Sequence, residues 1–257
     1  MTATRAETIP SFSLAGKRAL ITGASRGIGL AAAQALAAFG AHVTLAARPS
    51  KDLDAAVAAL AAGGHGAEAF ELDVTETARA RALITAREPY DILINNAGIN
   101  YPVTFLDVTE DQYDKIMTLN VRASYFIAQA VVARLVAAGR PGSIINISSQ
   151  MGHVGAAIRT VYCASKWAIE GLTKAMAVDL APHGIRVNTL GPTFIETPLA
   201  SQFLADEAFK RQVLSKIKLG RIGQVGDLTG AIVFLASDAS SLMTGSSIVV
   251  DGGWTAD

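Results

Sequence analysis

The stretch Thr22-Gly23-Ala24-Ser25-Arg26-Gly27-Ile28-Gly29 lies between a short apolar run and an alanine-rich run. The run before it, Arg18–Thr22, is typical of a buried strand, and the run after it, Ile28–Phe39, is typical of a helix closed by Gly40. Glycines let such a turn approach a pyrophosphate, and the helix N-terminus offers free N–H groups and about half a positive charge. The context therefore favours a dinucleotide-binding loop over a purely structural turn.

Outward from this turn, strand-like and helix-like segments alternate along the whole chain. The predicted strands are Arg18–Thr22, His42–Ala46, Ala67–Leu72, Asp91–Ile94, Ser143–Ile147, Ile185–Leu190 and Ser247–Val250. The predicted helices are Ile28–Phe39, Lys51–Ala62 capped by Ser50, one begun by Thr75, a long one over Glu110–Ala138, one that carries Tyr162 and ends near Leu180, a short one after Asp206, and Asp227–Leu235. This alternation predicts an α/β fold with a parallel sheet covered by helices. We expect a single domain over residues 14–257, preceded by a flexible tail over residues 1–13.

Composition narrows the class of protein further. The chain has 257 residues, a formal net charge of +0, 51% hydrophobic residues and 17% charged residues. The absence of a net positive charge and of basic clusters argues against nucleic-acid binding. The apolar stretch Ile28–Ala47 is interrupted by polar residues, and the N-terminus has no signal-peptide pattern. The single Cys163 fits a reducing compartment, and the four histidines lack metal-ligand spacing, so we expect a cytoplasmic protein without a metal.

Tyr162 and Lys166 are four residues apart in a predicted helix and therefore share one of its faces. A tyrosine has an ordinary pKa of about 10, too high for proton transfer at neutral pH. A positive charge about 5 Å away would favour the phenolate by roughly 3 kcal/mol, or about two pKa units, at an effective dielectric constant of about 20. The pair therefore predicts a tyrosine poised for proton transfer, particularly beside an oxidised nicotinamide. The alternative is an ordinary pair on a helix surface.

Several motifs in this order resemble the short-chain dehydrogenase/reductase family. The glycine loop has the spacing Thr-Gly-x-x-x-Gly-x-Gly, Asn95-Asn96-Ala97-Gly98 follows the fourth strand, and Tyr162 and Lys166 form a Tyr-x-x-x-Lys pair. The resemblance covers roughly Leu14 to Gly253, nearly the whole chain. It implies a doubly wound, Rossmann-like sheet of seven parallel strands, with the cofactor across the carboxyl ends of the strands.

The resemblance implies four catalytic residues: Asn120, Ser149, Tyr162 and Lys166. Tyr162 would exchange a proton with the substrate oxygen and Ser149 would hold that oxygen. Lys166 would bind the nicotinamide ribose, and Asn120 would hold a water that links Lys166 to solvent. We prefer Ser149 to Ser148 because it lies thirteen residues before Tyr162 and three before a glycine, as in the family.

The resemblance also implies a set of residues that bind a nicotinamide dinucleotide. They are Gly23, Ser25, Arg26, Gly27, Ile28, Gly29, Arg48, Asp73, Val74, Asn96, Ala97, Gly98, Tyr162, Lys166, Pro192, Thr193, Ile195 and Thr197. Arg48 follows the second strand where a carboxylate would select NAD(H), and Arg26 adds a second positive charge, so NADP(H) is favoured over NAD(H). Gly191-Pro192-Thr193 departs from the family's common Pro-Gly step, which leaves the turn geometry open.

The implied function is hydride transfer between a nicotinamide cofactor and a small polar alcohol or ketone. Sugars, sugar acids, polyols and 3-oxoacyl compounds all remain open as substrates, and His153 is a possible substrate contact. Residues 193–218 would form a lid over the substrate. The family also implies a homo-oligomer, usually a tetramer. The alternatives are a non-catalytic dinucleotide-sensing regulator and an epimerase or dehydratase of the extended branch.

Overall fold

Seven parallel strands form one sheet at the centre of the computed structural model, which describes residues 10–256. They are β1 Arg18–Thr22, β2 His42–Ala47, β3 Ala67–Glu71, β4 Ile92–Asn95, β5 Gly142–Ile147, β6 Ile185–Pro192 and β7 Ser247–Val250. Their order across the sheet is β3-β2-β1-β4-β5-β6-β7. The order reverses between β1 and β4, and doubly wound sheets bind ligands at such a switch point, beyond the carboxyl ends of the strands.

Helices cover both faces of this sheet. They are α1 Gly27–Ala38, α2 Lys51–Ala62, α3 Thr77–Thr85, α4 Glu110–Met117, α5 Ser124–Ala137, α6 Thr160–Leu180, α7 Pro198–Leu204, α8 Glu207–Lys216 and α9 Gly226–Ala236. One apolar layer joins the sheet to α1, α2 and α9, and the other joins it to α3, α5 and α6. Neighbouring residues of β1 divide between the layers, since Ile21 belongs to the first and Leu20 to the second. The predicted α/β fold is therefore confirmed, and its strands are apolar because both faces are buried.

Helix ends follow the predicted capping residues. The Ser50 hydroxyl accepts a hydrogen bond from the Leu53 amide at 3.3 Å at the start of α2. Gly40, with φ of +101°, follows the end of α1 in the left-handed conformation that glycine adopts most readily. The helix predicted after Asp206 is α8, whose first turn donates to the Asp206 carboxylate.

The structure differs from the prediction at four places by more than a shift of one residue at the end of an element. The helix predicted over Glu110–Ala138 contains a π-helical segment, Thr118–Ala123, between α4 and α5. Strand β6 continues to Pro192, which pairs with Val250 in β7. Helix α3 begins at Thr77 rather than Thr75, because the Thr75 amide and hydroxyl both donate to the Asp73 carboxylate. Helix α7, whose first residue is Pro198, has no counterpart in the prediction.

The stretch Glu110–Ala137 is the one helical stretch within residues 10–256 that is long and apolar enough to cross a membrane. Half of its most apolar window is buried inside the protein, as in a core helix, so it is weak evidence for a membrane span. The tail predicted over residues 1–13 lies mostly outside the described residues.

Candidate active site

The glycine loop joins β1 to α1 at the switch point of the sheet. Gly23 and Gly27 have φ values of +64° and +59°, which a side chain would strain. A Cβ atom at Gly29 would lie 2.4 Å from the Gly23 carbonyl oxygen, so only glycine fits there. The Arg26 side chain makes no capping hydrogen bond to α1 within the described chain, which leaves first-turn N–H groups for an anion. The loop therefore has the shape and polarity of a pyrophosphate cradle.

Asn96 ties this loop to the end of β4. Its Nδ2 atom donates to the carbonyl oxygens of Thr22 and Gly23, at 3.0 and 3.1 Å. The Thr22 hydroxyl accepts from the amides of Asn96 and Ala97 at 3.0 and 3.1 Å. Asn96 and Ala97, which the resemblance assigns to cofactor binding, thus hold the cradle in shape. Thr22 shares that task, and sequence reasoning assigned it no such role.

Asn120 lies in the π-helical segment between α4 and α5 and is buried. Its Oδ1 atom accepts from the Ile99 amide at 2.9 Å, and its Nδ2 atom donates to the Ile99 carbonyl at 3.0 Å and to the Ser165 hydroxyl at 3.1 Å. Ser165 immediately precedes Lys166 on α6. The side chain of Asn120 therefore joins the loop after Gly98 to the catalytic helix, and π-helical segments are frequent at functional sites.

Tyr162 and Ser149 come together at the end of β5. Ser149 follows that strand, and its hydroxyl lies close enough to the Tyr162 hydroxyl to lower the pKa of the phenol. The Ser149 hydroxyl also donates to Gln150 Oε1 at 2.7 Å and accepts from the Met151 amide at 3.1 Å. The Ser148 hydroxyl lies beside Gly152, 2.8 Å from where a Cβ atom on that glycine would be, and it has no hydrogen-bond partner among residues 10–256. The choice of Ser149 over Ser148 stays a prediction.

Lys166 is buried behind Tyr162. Its Nζ atom donates to the Ile147 carbonyl oxygen at 2.8 Å and lies 5.6 Å from the centre of the Tyr162 ring. Burial lowers the pKa of Lys166 to about 8, against an opposing contribution from the carboxylate of Glu170. The ammonium form still predominates at neutral pH.

The predicted acidification of Tyr162 by Lys166 is wrong for the chain by itself. Burial raises the pKa of Tyr162 to about 12, and this effect outweighs the lowering by the Ser149 hydrogen bond and by the charge of Arg159. The sequence-based estimate included a nearby charge but no loss of hydration, and loss of hydration is the largest effect here. A phenolate in this site therefore needs further positive charge.

Two further polar side chains, Glu170 and His153, lie near Lys166. Glu170 lies one helical turn after Lys166 and is buried, and its Oε2 atom accepts from the Thr189 hydroxyl at 2.9 Å. His153 Nε2 lies 3.4 Å from Glu170 Oε1 and 3.1 Å from the Ser247 hydroxyl on β7. His153, a possible substrate contact from the sequence, therefore contacts Glu170 and Ser247 within the protein, and its contact with substrate stays a prediction. The spacing of four residues between Lys166 and Glu170 is the sequence signal that could have revealed this carboxylate.

The far end of the expected cofactor site lies after β6. The Thr193 Oγ1 atom is buried and has no hydrogen-bond partner among residues 10–256. Buried hydroxyls are nearly always paired, so this atom is available to a ligand group. Thr197 faces the glycine loop, since its Cγ2 atom would lie 3.4 Å from a Cβ atom on Gly27. Pro192 and Ile195 are buried on either side of Thr193.

The opposite end of the expected cofactor site lies after β2 and β3. Arg48 and Arg26 are exposed, and no carboxylate occupies the two positions Ala47 and Arg48 that end β2. The pKa of Asp73 is lowered, mainly by its hydrogen bond with the Thr75 hydroxyl, and the charge of Arg48 adds to this effect. Arg48 and Asp73 therefore lie near one another at the carboxyl edge of the sheet. The glycine cradle, the orphaned Thr193 hydroxyl and these two residues fit a nicotinamide dinucleotide.

A family model described as enoyl-(acyl carrier protein) reductase matches residues 23–255. L-xylulose reductase from Bos taurus is 40% identical over 243 residues, covering 95% of this chain and 98% of that protein. The chain belongs to the short-chain dehydrogenase/reductase family. Gluconate 5-dehydrogenase from Gluconobacter oxydans is 41% identical over 248 residues, covering 95% of this short-chain dehydrogenase/reductase and 96% of that protein.

Solved structures give the same relationship for this short-chain dehydrogenase/reductase. A gluconate 5-dehydrogenase from Burkholderia cenocepacia, in complex with NADP and tartrate, is 38% identical, with a TM-score of 0.92 over 96% of this chain and 98% of that one. The Rossmann-like fold is thereby confirmed. The enzyme is a nicotinamide-dependent oxidoreductase that acts on CH–OH groups, so the alternatives of a non-catalytic sensor and of an epimerase or dehydratase are set aside.

Proposed function

We propose that the enzyme interconverts a secondary hydroxyl group and a ketone of a sugar, sugar acid or polyol, with Tyr162 as the proton-transfer residue. The observation that carries this proposal is the approach of the Ser149 hydroxyl to Tyr162, with the buried Lys166 ammonium 5.6 Å from the centre of the tyrosine ring. The relatives named for L-xylulose and gluconate support a small polyhydroxylated substrate over a 3-oxoacyl compound.

A bound nicotinamide would supply the acceptor for a hydride, with its two electrons, from the carbinol carbon, or the donor of that hydride to the ketone carbon. Tyr162 takes the hydroxyl proton in the oxidation and gives it back in the reduction, an effect typically worth about 10²–10⁴ in rate. Ser149 donates a hydrogen bond to the same oxygen and fixes its position. Lys166 contributes a positive charge near the ring, which favours the phenolate that burial disfavours.

Asn120 has a positioning role in this proposal. Its contacts with Ile99 and Ser165 hold the catalytic helix against the loop after β4. This role differs from the water-holding role that the resemblance implies.

We propose NADP(H) as the preferred cofactor. Arg48 stands at the end of β2, where an arginine accommodates the 2′-phosphate, and Arg26 is exposed on the neighbouring loop. The Burkholderia cenocepacia relative in complex with NADP also supports this choice. Ser25, Ile28, Val74, Gly98 and Thr197 remain proposed cofactor contacts.

Turnover of the Tyr162→Phe variant tests the proposal. We expect kcat to fall by about 10²–10⁴ on any substrate of the wild type, while NADPH still binds and quenches tryptophan fluorescence. Tyr113→Phe, an exposed tyrosine on α4, is the matched control and should keep full activity. Near-normal turnover of Tyr162→Phe would exclude the assignment, and a tenfold higher kcat/KM with NADH than with NADPH would exclude the cofactor preference.

The proposal also covers the domain organisation, the oligomeric state and the location of the enzyme in the cell. Residues 14–257 form one domain, with residues 193–218 as a lid that includes α7 and α8. The enzyme is a homo-oligomer, a tetramer in the simplest case, and it is cytoplasmic, which its single Cys163 supports.

A further inference from the structure

Three polar side chains form a buried row across the face of the sheet that α6 covers. Asn95 on β4 pairs with Asn146 on β5, and Asn146 pairs in turn with Thr189 on β6. Asn95, Asn146 and Thr189 are 4%, 1% and 0% exposed. The strands of a parallel sheet that is covered on both faces are ordinarily apolar. Burying polar side chains there is costly unless hydrogen bonds compensate for the lost water.

The polar row makes two hydrogen bonds to the catalytic helix. Asn146 Nδ2 donates to the Thr173 hydroxyl at 2.8 Å, and the Thr189 hydroxyl donates to Glu170 Oε2 at 2.9 Å. Glu170 and Thr173 are three residues apart and therefore share one face of α6. Because hydrogen bonds are directional, the two together fix both the rotation of α6 and its position along the strands.

The polar row also connects to the π-helical segment between α4 and α5. Asn95 Nδ2 donates to Asn146 Oδ1 at 3.0 Å and to the carbonyl oxygen of Ser124, the first residue of α5, at 3.1 Å. The Ser124 hydroxyl donates to the Asn120 carbonyl at 2.9 Å, and Asn120 Nδ2 donates to the Ser165 hydroxyl on α6 at 3.1 Å. A chain of buried polar groups thus begins near the start of α6 and returns to the middle of the same helix.

The face of α6 that the polar row holds also carries the catalytic pair. Thr173 is eleven residues beyond Tyr162, within about 20° of three full turns, and seven beyond Lys166, within about 20° of two full turns. At about 1.5 Å per residue, Thr173 lies roughly 16 Å from Tyr162 along the helix, too far to touch a substrate held there. A rotation or shift of α6 would nevertheless move Tyr162 and Lys166 with it.

We propose that Asn146 and Thr173 are positioning residues, whose hydrogen bond sets the register of α6 and thereby the alignment of Tyr162 with the substrate. This inference rests on the proposed function, because it takes Tyr162 to be the proton-transfer residue. Apolar contacts alone hold a helix less uniquely than directional bonds do. A misplacement of the reacting groups by about 1 Å can cost about 10² in rate.

Thr173→Val tests the inference, because it removes the hydroxyl group and keeps the shape of the side chain. We would measure kcat, KM and NADPH affinity with the compound that the wild type turns over fastest, from a panel of sugars, sugar acids and polyols that includes L-xylulose and gluconate. We expect kcat to fall by about 10- to 100-fold with little change in KM. NADPH affinity should stay close to that of the wild type, since the glycine loop belongs to other elements.

Two further variants separate positioning from stability. Thr173→Ser keeps the hydroxyl group and should retain most of kcat. Ile169→Val removes one carbon from a buried apolar side chain on the same helix, so it should lower the melting temperature and leave kcat unchanged. If Thr173→Val does not fold, as judged by circular dichroism, Thr173→Ala decides by the same criterion, since its smaller side chain gives the Asn146 amide room to relax.

The outcomes separate this inference from the proposed function. A folded Thr173→Val enzyme with a lower melting temperature and the kcat of the wild type would overturn the inference, because the bond would then only stabilise the fold. An equal loss of kcat in Thr173→Ser or in Ile169→Val would also overturn it.

Tyr162→Phe in the same assay tests the proposed function, which fails if that variant keeps near-normal turnover. A wild type that turns over no member of the panel would overturn the proposed substrate class. Acetoacetyl-coenzyme A, a 3-oxoacyl compound, would then serve for the same comparison of the Thr173 and Ile169 variants.

Discussion

At the scale of single residues, the charge of Lys166 depends on its neighbour Glu170. Burial brings the pKa of Lys166 down to about 8, close to physiological pH, and the Glu170 carboxylate opposes this shift. Glu170 is itself buried and held by Thr189 and His153. The buried carboxylate is therefore a positioning residue that keeps the ammonium group charged where catalysis needs it.

Replacing Glu170 with glutamine should shift the pH dependence of the reaction. The variant lacks the negative charge that raises the pKa of Lys166, so this pKa falls below about 8. Because lysine is charged only below its pKa, the ammonium form disappears at lower pH than in the wild type. We expect the alkaline limb of kcat/KM to move to lower pH by about one unit, with turnover at pH 8 reduced severalfold.

The pH profile of kcat/KM between pH 6 and 9.5 is the measurement, with His153→Gln as the control. That control retains the Glu170 carboxylate and should move the limb much less. A Glu170→Gln profile that differs only in height from the wild type would mean that Glu170 stabilises the fold without tuning Lys166.

At the scale of elements, the turn from β1 to α1 depends on the absence of a side chain at Gly29. A Cβ atom there would lie 2.4 Å from the Gly23 carbonyl oxygen and 2.6 Å from Asn96 Nδ2. Gly29→Ala should therefore push the strand end and the helix apart, with a loss of about 1–3 kcal/mol in the free energy of unfolding, and weaken NADPH binding.

Gly230→Ala is the matched control for that substitution. Gly230 lies inside α9, and a Cβ atom there would meet nothing within 4 Å. Alanine should stabilise this helix by about 0.5–1 kcal/mol. Urea unfolding measures both free energies and titration with NADPH measures binding. Equal stability changes in the two variants would refute the argument from close approach.

Some helices and strands could be predicted from the sequence alone, and others could not. The spacing of apolar residues and the capping residues predicted the first and last residues of α2 and β7 correctly, because Ser50 and the flanking glycines are local signals. The π-helical segment around Asn120 escaped prediction, because the bonds that hold Asn120 come from Ile99 and Ser165, which are distant in the chain. Helix α7 was also missed, because its short pattern gave no clear period.

Some features of the candidate site could likewise be predicted from local sequence patterns, and others depend on the whole fold. Spacing within one helix predicted that Lys166 lies close to Tyr162, and its Nζ atom is indeed 5.6 Å from the centre of the Tyr162 ring. The direction of the pKa shift of Tyr162 did not follow, because it depends on burial by the whole fold.

At the scale of the whole molecule, α5 and α6 expose large apolar side chains. Tyr125 on α5 is 43% exposed, and Trp167 and Val178 on α6 are 53% and 76% exposed. Both helices pack on the same face of the sheet, so these side chains are the candidates on that face for the contacts of the proposed homo-oligomer. Trp167 directly follows Lys166, so an interface on this face would brace the catalytic helix.

Val178→Glu tests whether the proposed homo-oligomer forms through this face. Val178 lies twelve residues beyond Lys166, about 18 Å along the helix, so the substitution spares the site itself. In a two-fold interface the substitution occurs twice. Each interface then loses the burial of two valines, about 3 kcal/mol or more in the free energy of association, and gains two buried charges. We expect sedimentation equilibrium to give a smaller assembly than the wild type at micromolar concentration.

Leu242→Glu is the control, since Leu242 is 99% exposed and lies outside both helices. An unchanged mass for Val178→Glu would place the contacts on another surface, and a smaller assembly with full turnover would mean that α6 needs no partner to hold Tyr162 and Lys166 in register.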